Sequence, residues 1–196
     1  MPYPIRPLQE LGGISQGLLI SRYKEQEDEE GSSERIVNVR DLASLHIGGN
    51  LDVVQINISD CKRYQLDTND VVIAIRGVAQ KASVVTADAQ GSLAGQNLAF
   101  FRPKSGVINS VYLAVLMRSQ WIERSLSMLS GQSIATRFIN IVQLRDLKIP
   151  LPDLATQNKI AQLFLSTEHT TKITLQALET RQRLTEFTLF QILEGH

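Results

Sequence analysis

The amino-acid sequence predicts an α+β protein: a mixed β-sheet domain with a packed helix over residues 1–152, followed by one long C-terminal helix over 153–196. Three observations carry that expectation. Short β-branched runs recur through the first hundred residues. The period changes to helical over 110–129. From Thr156 to Leu193 neither glycine nor proline interrupts the chain.

The boundary is Leu147-Lys148-Ile149-Pro150-Leu151-Pro152-Asp153. Residues before proline are pushed out of the α region, and proline donates no backbone hydrogen bond, so Pro150 and Pro152 force extended chain. Asp153 or Thr156 can then cap the helix that follows, with Ile160, Leu163 and Phe164 as its first apolar face.

The stretch 5–24 reads as a short start, with Gly12-Gly13 as a turn ahead of Leu18-Leu19-Ile20. Glu25-Gln26-Glu27-Asp28-Glu29-Glu30 and Gly31-Ser32-Ser33 read as a loop. Arg35 to Arg40 and Val53 to Ile58 alternate and are expected to be strands. Gly48-Gly49 reads as a turn, like Tyr64 to Asp70. Val71-Val72-Ile73-Ala74-Ile75 is a continuous apolar run that suits a buried strand. Ala82–Thr86 and Asn97–Arg102 are two more. Between Ser110, a candidate cap, and Leu129 the apolar residues keep helical spacing. Gly131 to Arg137 is a polar loop, and Val142 to Asp146 a short turn or helix. The C-terminal pattern allows some 38 residues of helix, roughly 55 Å long. Thr167, Thr170, Thr171 and Thr174 weaken its middle, so it should survive by packing against a partner. Its heptad signal is imperfect.

Composition narrows the chemistry. Cys61 is the only cysteine, and His46, His169 and His196 are scattered, so no internal disulfide, no zinc-ligand spacing and no cofactor is expected. With a start that lacks a signal-peptide layout, this points to a reducing, cytoplasmic setting and to no membrane. There is no phosphate-loop glycine pattern, no Asn-Pro-Pro-aromatic methyltransferase tetrapeptide, and no second carboxylate to make Pro152-Asp153…Lys159 a nuclease pair. The serines lack a catalytic signature. The acidic run at 25–30 could hold a metal ion, but consecutive carboxylates fit a solvated loop better. The chain reads as a binder and not as an enzyme. Net charge is zero, yet residues 31–150 carry 13 basic and 9 acidic groups, an excess compatible with a modest basic face.

Leu11-Gly12-Gly13-Ile14-Ser15-Gln16-Gly17, Ile36-Val37-Asn38-Val39-Arg40-Asp41-Leu42, Leu66 to Gly77, and Asn97 to Pro103 stand in a telling order. They are followed by Gly131-Gln132-Ser133-Ile134, Leu147 to Pro152, and Leu154-x-x-Gln157-x-x-Ile160. Together these segments resemble the specificity subunit of type I restriction–modification systems: one target recognition domain with its following helix. The Ile-Pro-Leu-Pro stretch is the most specific of them. Asn69 departs from the pattern, standing where glycine is usual before Asp70, and Thr156 stands where glutamate is commoner. The chain also holds one domain and one helix where a full subunit has two of each, like half-length subunits that pair head to tail.

The resemblance implies a non-catalytic protein that reads one half of a split double-stranded DNA site and brings a methyltransferase subunit, with a restriction subunit as a further partner. Arg22, Arg76, Gln96, Gln132, Ser133 and Arg137 are the expected base or groove contacts. Lys24, Lys81, Arg102 and Lys104 are the expected phosphate contacts, with a structural ion pair as the alternative for Arg102. A homodimer through the C-terminal helix would bury Ile160, Leu163, Leu175, Leu178, Phe187 and Phe190. The competing reading is a helix-mediated protein adaptor or oligomerisation domain without a DNA role.

Overall fold

The computed structural model describes residues 3–19, 32–56, 62–76, 81–130 and 139–195, with the backbone alone for 127–130. Among these, Ile5–Pro7 (β1) and Leu8–Leu11 (α1) lead into Gly12–Gln16 (β2). Ser32–Val37 (β3), His46–Ile47 (β4), Asp52–Ile56 (β5), Val71–Ala74 (β6) and Ala82–Val85 (β7) follow. Then come Leu93–Ala94 (β8), Leu98–Pro103 (β9), Ser110–Met117 (α2), Gln120–Ser130 (α3), Ile141–Asp146 (α4), Lys148–Pro150 (β10) and Leu154–Glu194 (α5).

A five-stranded mixed sheet in the order β2-β9-β6-β7-β4 forms the body, beside a three-stranded sheet β5-β3-β8. β6 is buried at every residue because β9 and β7 flank it and α2 covers it, which explains its unbroken apolar run. Val37, Leu42, Ile47, Leu66, Val72, Val85, Leu98 and Phe100 make one core cluster. A smaller cluster joins Leu18, Ile56 and Leu93, with Val54 and Tyr64 packed against it.

The structure corrects the sequence reading at several elements. The N-terminal stretch supplies two strands: β1 pairs with β10, and β2 pairs with β9. Gly12 lies within β2, paired with β9, and not in a turn; a Cβ there would collide with the Arg102 carbonyl and the Phe101 ring, so the close approach needs glycine. Ser32 and Ser33 belong to β3, which ends at Val37; a 3₁₀ turn over Val39–Leu42 replaces its expected end. There Asn38 N–H donates to the Asp41 carboxylate at 2.7 Å, and that local bond draws the chain away from the sheet.

The helical stretch at 110–129 is two helices. Arg118 closes α2, its guanidinium donating to the carbonyls of Ala82, Leu42 and Ser44 and to the Ser83 hydroxyl. The cap of α2 is Asn109 and not Ser110: Asn109 Oδ1 accepts from Tyr112 N–H at 2.9 Å, whereas the Ser110 hydroxyl donates to Asn69 O. Asn69 itself has φ of 72°. Asparagine enters that left-handed region more readily than most residues, so it serves where glycine is usual.

The chain divides into two compact units, Met1–Ala161 and Gln162–His196. The first turns of α5 belong to the first unit. The second is helical up to Glu194, and the whole of α5, 41 residues, measures about 60 Å. Thr167, Thr174, Thr180, Thr185 and Thr188 each donate a hydroxyl to the carbonyl four residues back, so these hydroxyls are satisfied within the helix itself.

Candidate nucleic-acid interface

Three of the expected contact residues converge at one end of the five-stranded sheet. The backbone N–H groups of Ile75 and Arg76 both donate to Asn97 O, at 2.9 and 3.3 Å, so the end of β6 meets the turn before β9. Ala74 N–H donates to Lys81 O at 2.9 Å, which fixes the start of β7 beside them. Arg76 and Gln96 are exposed and Lys81 is half-buried. Gly17 N–H donates to Leu98 O at 2.9 Å, bringing the end of β2 to the same place. Ile139 N–H donates to Ile75 O at 3.0 Å. Arg22, Lys24, Gln132, Ser133 and Arg137 lie outside the described residues.

Arg102 and Lys104 sit at the opposite end of β9, some five residues and about 17 Å of strand away. Arg102 has structural partners. It donates Nε and Nη2 to the two oxygens of Asp70, at 3.0 and 2.8 Å, pairs with Asp67 through Nη1 at 3.0 Å, and donates to Gln65 O. Asp70 is buried, so its charge requires this bidentate partner, and Asp70 in turn holds Arg102 still more firmly protonated. Lys104 Nζ donates to Glu10 O at 2.8 Å. Both cations line an open cleft of about 500 Å³ with Thr68, Asn69, Ser105 and Asn109.

The start of α5 is built into the body. Asp153 caps it, its carboxylate accepting from Thr156 N–H at 2.9 Å and from the Thr156 hydroxyl at 3.1 Å. These bonds hold the Asp153 carboxyl below its usual range. Gln157 is buried, with Oε1 on Asn109 N–H and Nε2 on Pro152 O. Its burial was open to sequence reading only through the Leu-x-x-Gln-x-x-Ile pattern. Of the residues expected to pair, Ile160 is half-buried and Leu163, Leu175, Leu178, Phe187 and Phe190 are exposed.

Other chemistry is sparse. Among the described residues no three His, Cys, Asp or Glu side chains come together to hold a metal ion; the acidic run at 25–30 lies outside them. No described helix is long and apolar enough to cross a membrane. Sequence reading passed over Ser33 and Gln55, whose side chains meet across β3 and β5, and Lys62 and Arg63 on the 3₁₀ turn before Gln65.

This fold is that of type I restriction–modification specificity subunits. It aligns with the HsdS subunit of Thermoanaerobacter tengcongensis at a TM-score of 0.57 and 19% identity, over 90% of this chain and 39% of that one. A chain from a structure addressing complex assembly and conformational transition of a type I system gives 0.60 and 20%, over 97% and 43%. The S subunit from M. genitalium gives 0.54 and 12%, over 91% and 43%. In sequence, the model of the type I restriction modification DNA specificity domain matches residues 5–185, and the chain belongs to that family. A relative described as the type I restriction enzyme MjaX specificity subunit, from Methanocaldococcus jannaschii, is 28% identical over 114 residues, 57% of this chain and 27% of that protein. The chain thus spans about two fifths of the solved subunits it matches.

Proposed function

We propose that this chain is a non-catalytic recognition subunit that acts in the cytoplasm, reads one half of a split double-stranded DNA site, and recruits a methyltransferase subunit and a restriction subunit. The match to the specificity-domain family over most of the chain carries the reading. The convergence of Arg76, Lys81 and Gln96 supports it: arginine and glutamine match guanine and adenine edges, and lysine suits phosphate. Within the proposal, Arg22, Lys24, Gln132, Ser133 and Arg137 add contacts at this interface. Arg102 and Lys104, committed to Asp70, Asp67 and Glu10, take a structural role first.

Two copies pair through α5 as a coiled-coil-like dimer, burying Leu163, Leu175, Leu178, Phe187 and Phe190. Isologous pairing would make the target palindromic around a spacer. Binding of the purified chain, alone and with its methyltransferase, to a random duplex library across salt tests the reading. Enrichment of a split motif is expected, and no sequence preference at any salt rejects it. The adaptor reading draws on the same exposed apolar side chains of α5. It predicts that Arg76→Ala with Arg137→Ala leaves every partner and activity unchanged.

A further inference from the structure

The turn at 95–97 leaves β8 of the three-stranded sheet, enters β9 of the five-stranded one, and carries Gln96 of the candidate interface. Arg76 reaches this turn from the five-stranded side, through the bond of its N–H to Asn97 O. The three-stranded side supplies a second arginine. β3 runs parallel to β8, with Ile36 beside Leu93 and Val37 beside Ala94, so both strands end here. Gly95 N–H donates to Val37 O at 3.0 Å, and Asn38 Oδ1 lies 3.4 Å from where a Cβ on Gly95 would sit. Two residues on, Arg40 stands on the 3₁₀ turn with its side chain 66% exposed. Its guanidinium pairs with Asp52, which opens β5 opposite Ile36, and its Nε lies 3.7 Å from the Asp41 carboxylate. Asp52 also accepts from Asn38 Nδ2 at 3.1 Å and is 46% exposed. An ion pair this exposed contributes little to stability, so the fold does not account for it.

We infer that Arg40 and Asp52 together read a G·C base pair in the major groove, next to the contacts of Gln96 and Arg76. The inference rests on the proposed DNA recognition and adds a specificity-determining pair to it. Guanine presents two acceptors, O6 and N7, that fit the guanidinium fork. Its cytosine partner presents an N4 amino group, which a carboxylate accepts. The paired Arg40 and Asp52 thus set donors beside an acceptor, as a G·C edge sets acceptors beside a donor. Adenine would instead turn its N6 amino group against the guanidinium. Phosphate is also the poorer match. One cation beside the two carboxylates of Asp41 and Asp52 leaves a net negative charge, which repels arbitrary backbone but not a neutral base edge. Asn38 holds Asp52 through Nδ2, so the carboxylate is oriented before binding.

Selection from a random duplex library with the full chain, alone and with its methyltransferase, tests the inference on wild type, Arg40→Ala, Arg40→Gln and Asp52→Asn. Wild type should enrich a motif that contains a G·C pair. Arg40→Ala should keep the circular dichroism of wild type while preference for guanine at that position falls roughly five- to hundred-fold. Arg40→Gln should move the preference towards adenine, whose N6 and N7 a glutamine amide matches. Asp52→Asn should relax the same position and strengthen binding to all duplexes, because a charge that repels phosphate is gone. Variants that enrich the wild-type motif unchanged overturn the pair while DNA recognition stands. So does a wild-type motif without a G·C pair, or an Arg40→Ala loss that is equal on every duplex and marks a phosphate contact. A wild type that enriches nothing removes both.

Discussion

The side-chain oxygen of Gln157, on the second turn of α5, accepts the backbone N–H of Asn109, the cap of α2, at 2.8 Å. The amide nitrogen of Gln157 donates to Pro152 O at 2.8 Å. One buried side chain thus serves a donor and an acceptor that the chain leaves unpaired where two helices begin. A carboxylate could accept but not donate, and an alkyl chain could do neither.

Gln157→Leu should therefore lose about 2–4 kcal/mol, since it leaves two buried backbone groups without partners. Gln157→Glu should lose less at acid pH, where the protonated carboxyl can donate again. Thermal unfolding followed by circular dichroism checks both; a midpoint within a degree of wild type for Gln157→Leu would show that the bonds are dispensable.

Asp153 makes α5 sensitive to acid. Its carboxyl titrates below the ordinary 3.8, chiefly because it accepts from Thr156 N–H. A depressed carboxyl contributes stability above its unfolded value and loses it as pH falls through the folded one. Thermal stability should hold at pH 5 and above and decline below about 4. Asp153→Asn keeps a capping oxygen without the charge and should flatten that decline. A wild-type slope identical to that of the variant would remove Asp153 as its source.

Tyr112 sets the alkaline limit. Burial raises its hydroxyl to about 12, and the hydroxyl donates to Pro150 O at 2.8 Å. A phenol whose folded value is raised contributes fully below the unfolded value near 10, and that contribution is lost as pH climbs from there to the folded value. Tyr112→Phe should lose less stability than wild type across the same range, since the buried phenol no longer titrates. Difference absorbance of tyrosinate between the two proteins would locate the titration.

Lys81 and Gln96 should separate affinity from specificity. Lys81→Ala is expected to weaken binding alike on all duplexes and to lower the slope of log affinity against log salt by about one. Gln96→Ala should instead relax preference at one base pair, a change of about 1–3 kcal/mol in discrimination. Mobility-shift titrations on matched and mismatched duplexes measure both. The assignment fails if the two variants behave identically.

Much of the fold was legible because its signals are local. β6, β7 and β9 lie within one or two residues of the expected strands, since β-branched and aromatic residues in short runs carry their own preference. The double proline marks the extended chain ahead of α5, and of the two candidate caps, Asp153 and Thr156, Asp153 is the one used. Asn69 could be read as a tolerated left-handed residue from its type alone.

What escaped sequence reading depends on partners far along the chain. Nothing near Ile5 announces a strand, because β1 exists through Lys148–Pro150 and β2 through β9. At the break between α2 and α3 the Arg118 guanidinium is held by carbonyls more than thirty residues away, while Ser119 Oγ accepts from Ile122 N–H at the start of α3. For Arg102 the sequence leaves phosphate contact and structural ion pair both open, and only Asp70, buried and 32 positions earlier, supplies the partner. By itself the sequence determined the periodicities, the extended chain at the double proline and the family. Only the tertiary structure decided which polar groups are consumed by the fold and which converge at one surface, because backbone pairing and desolvation are settled between segments that leave no mark on each other in sequence.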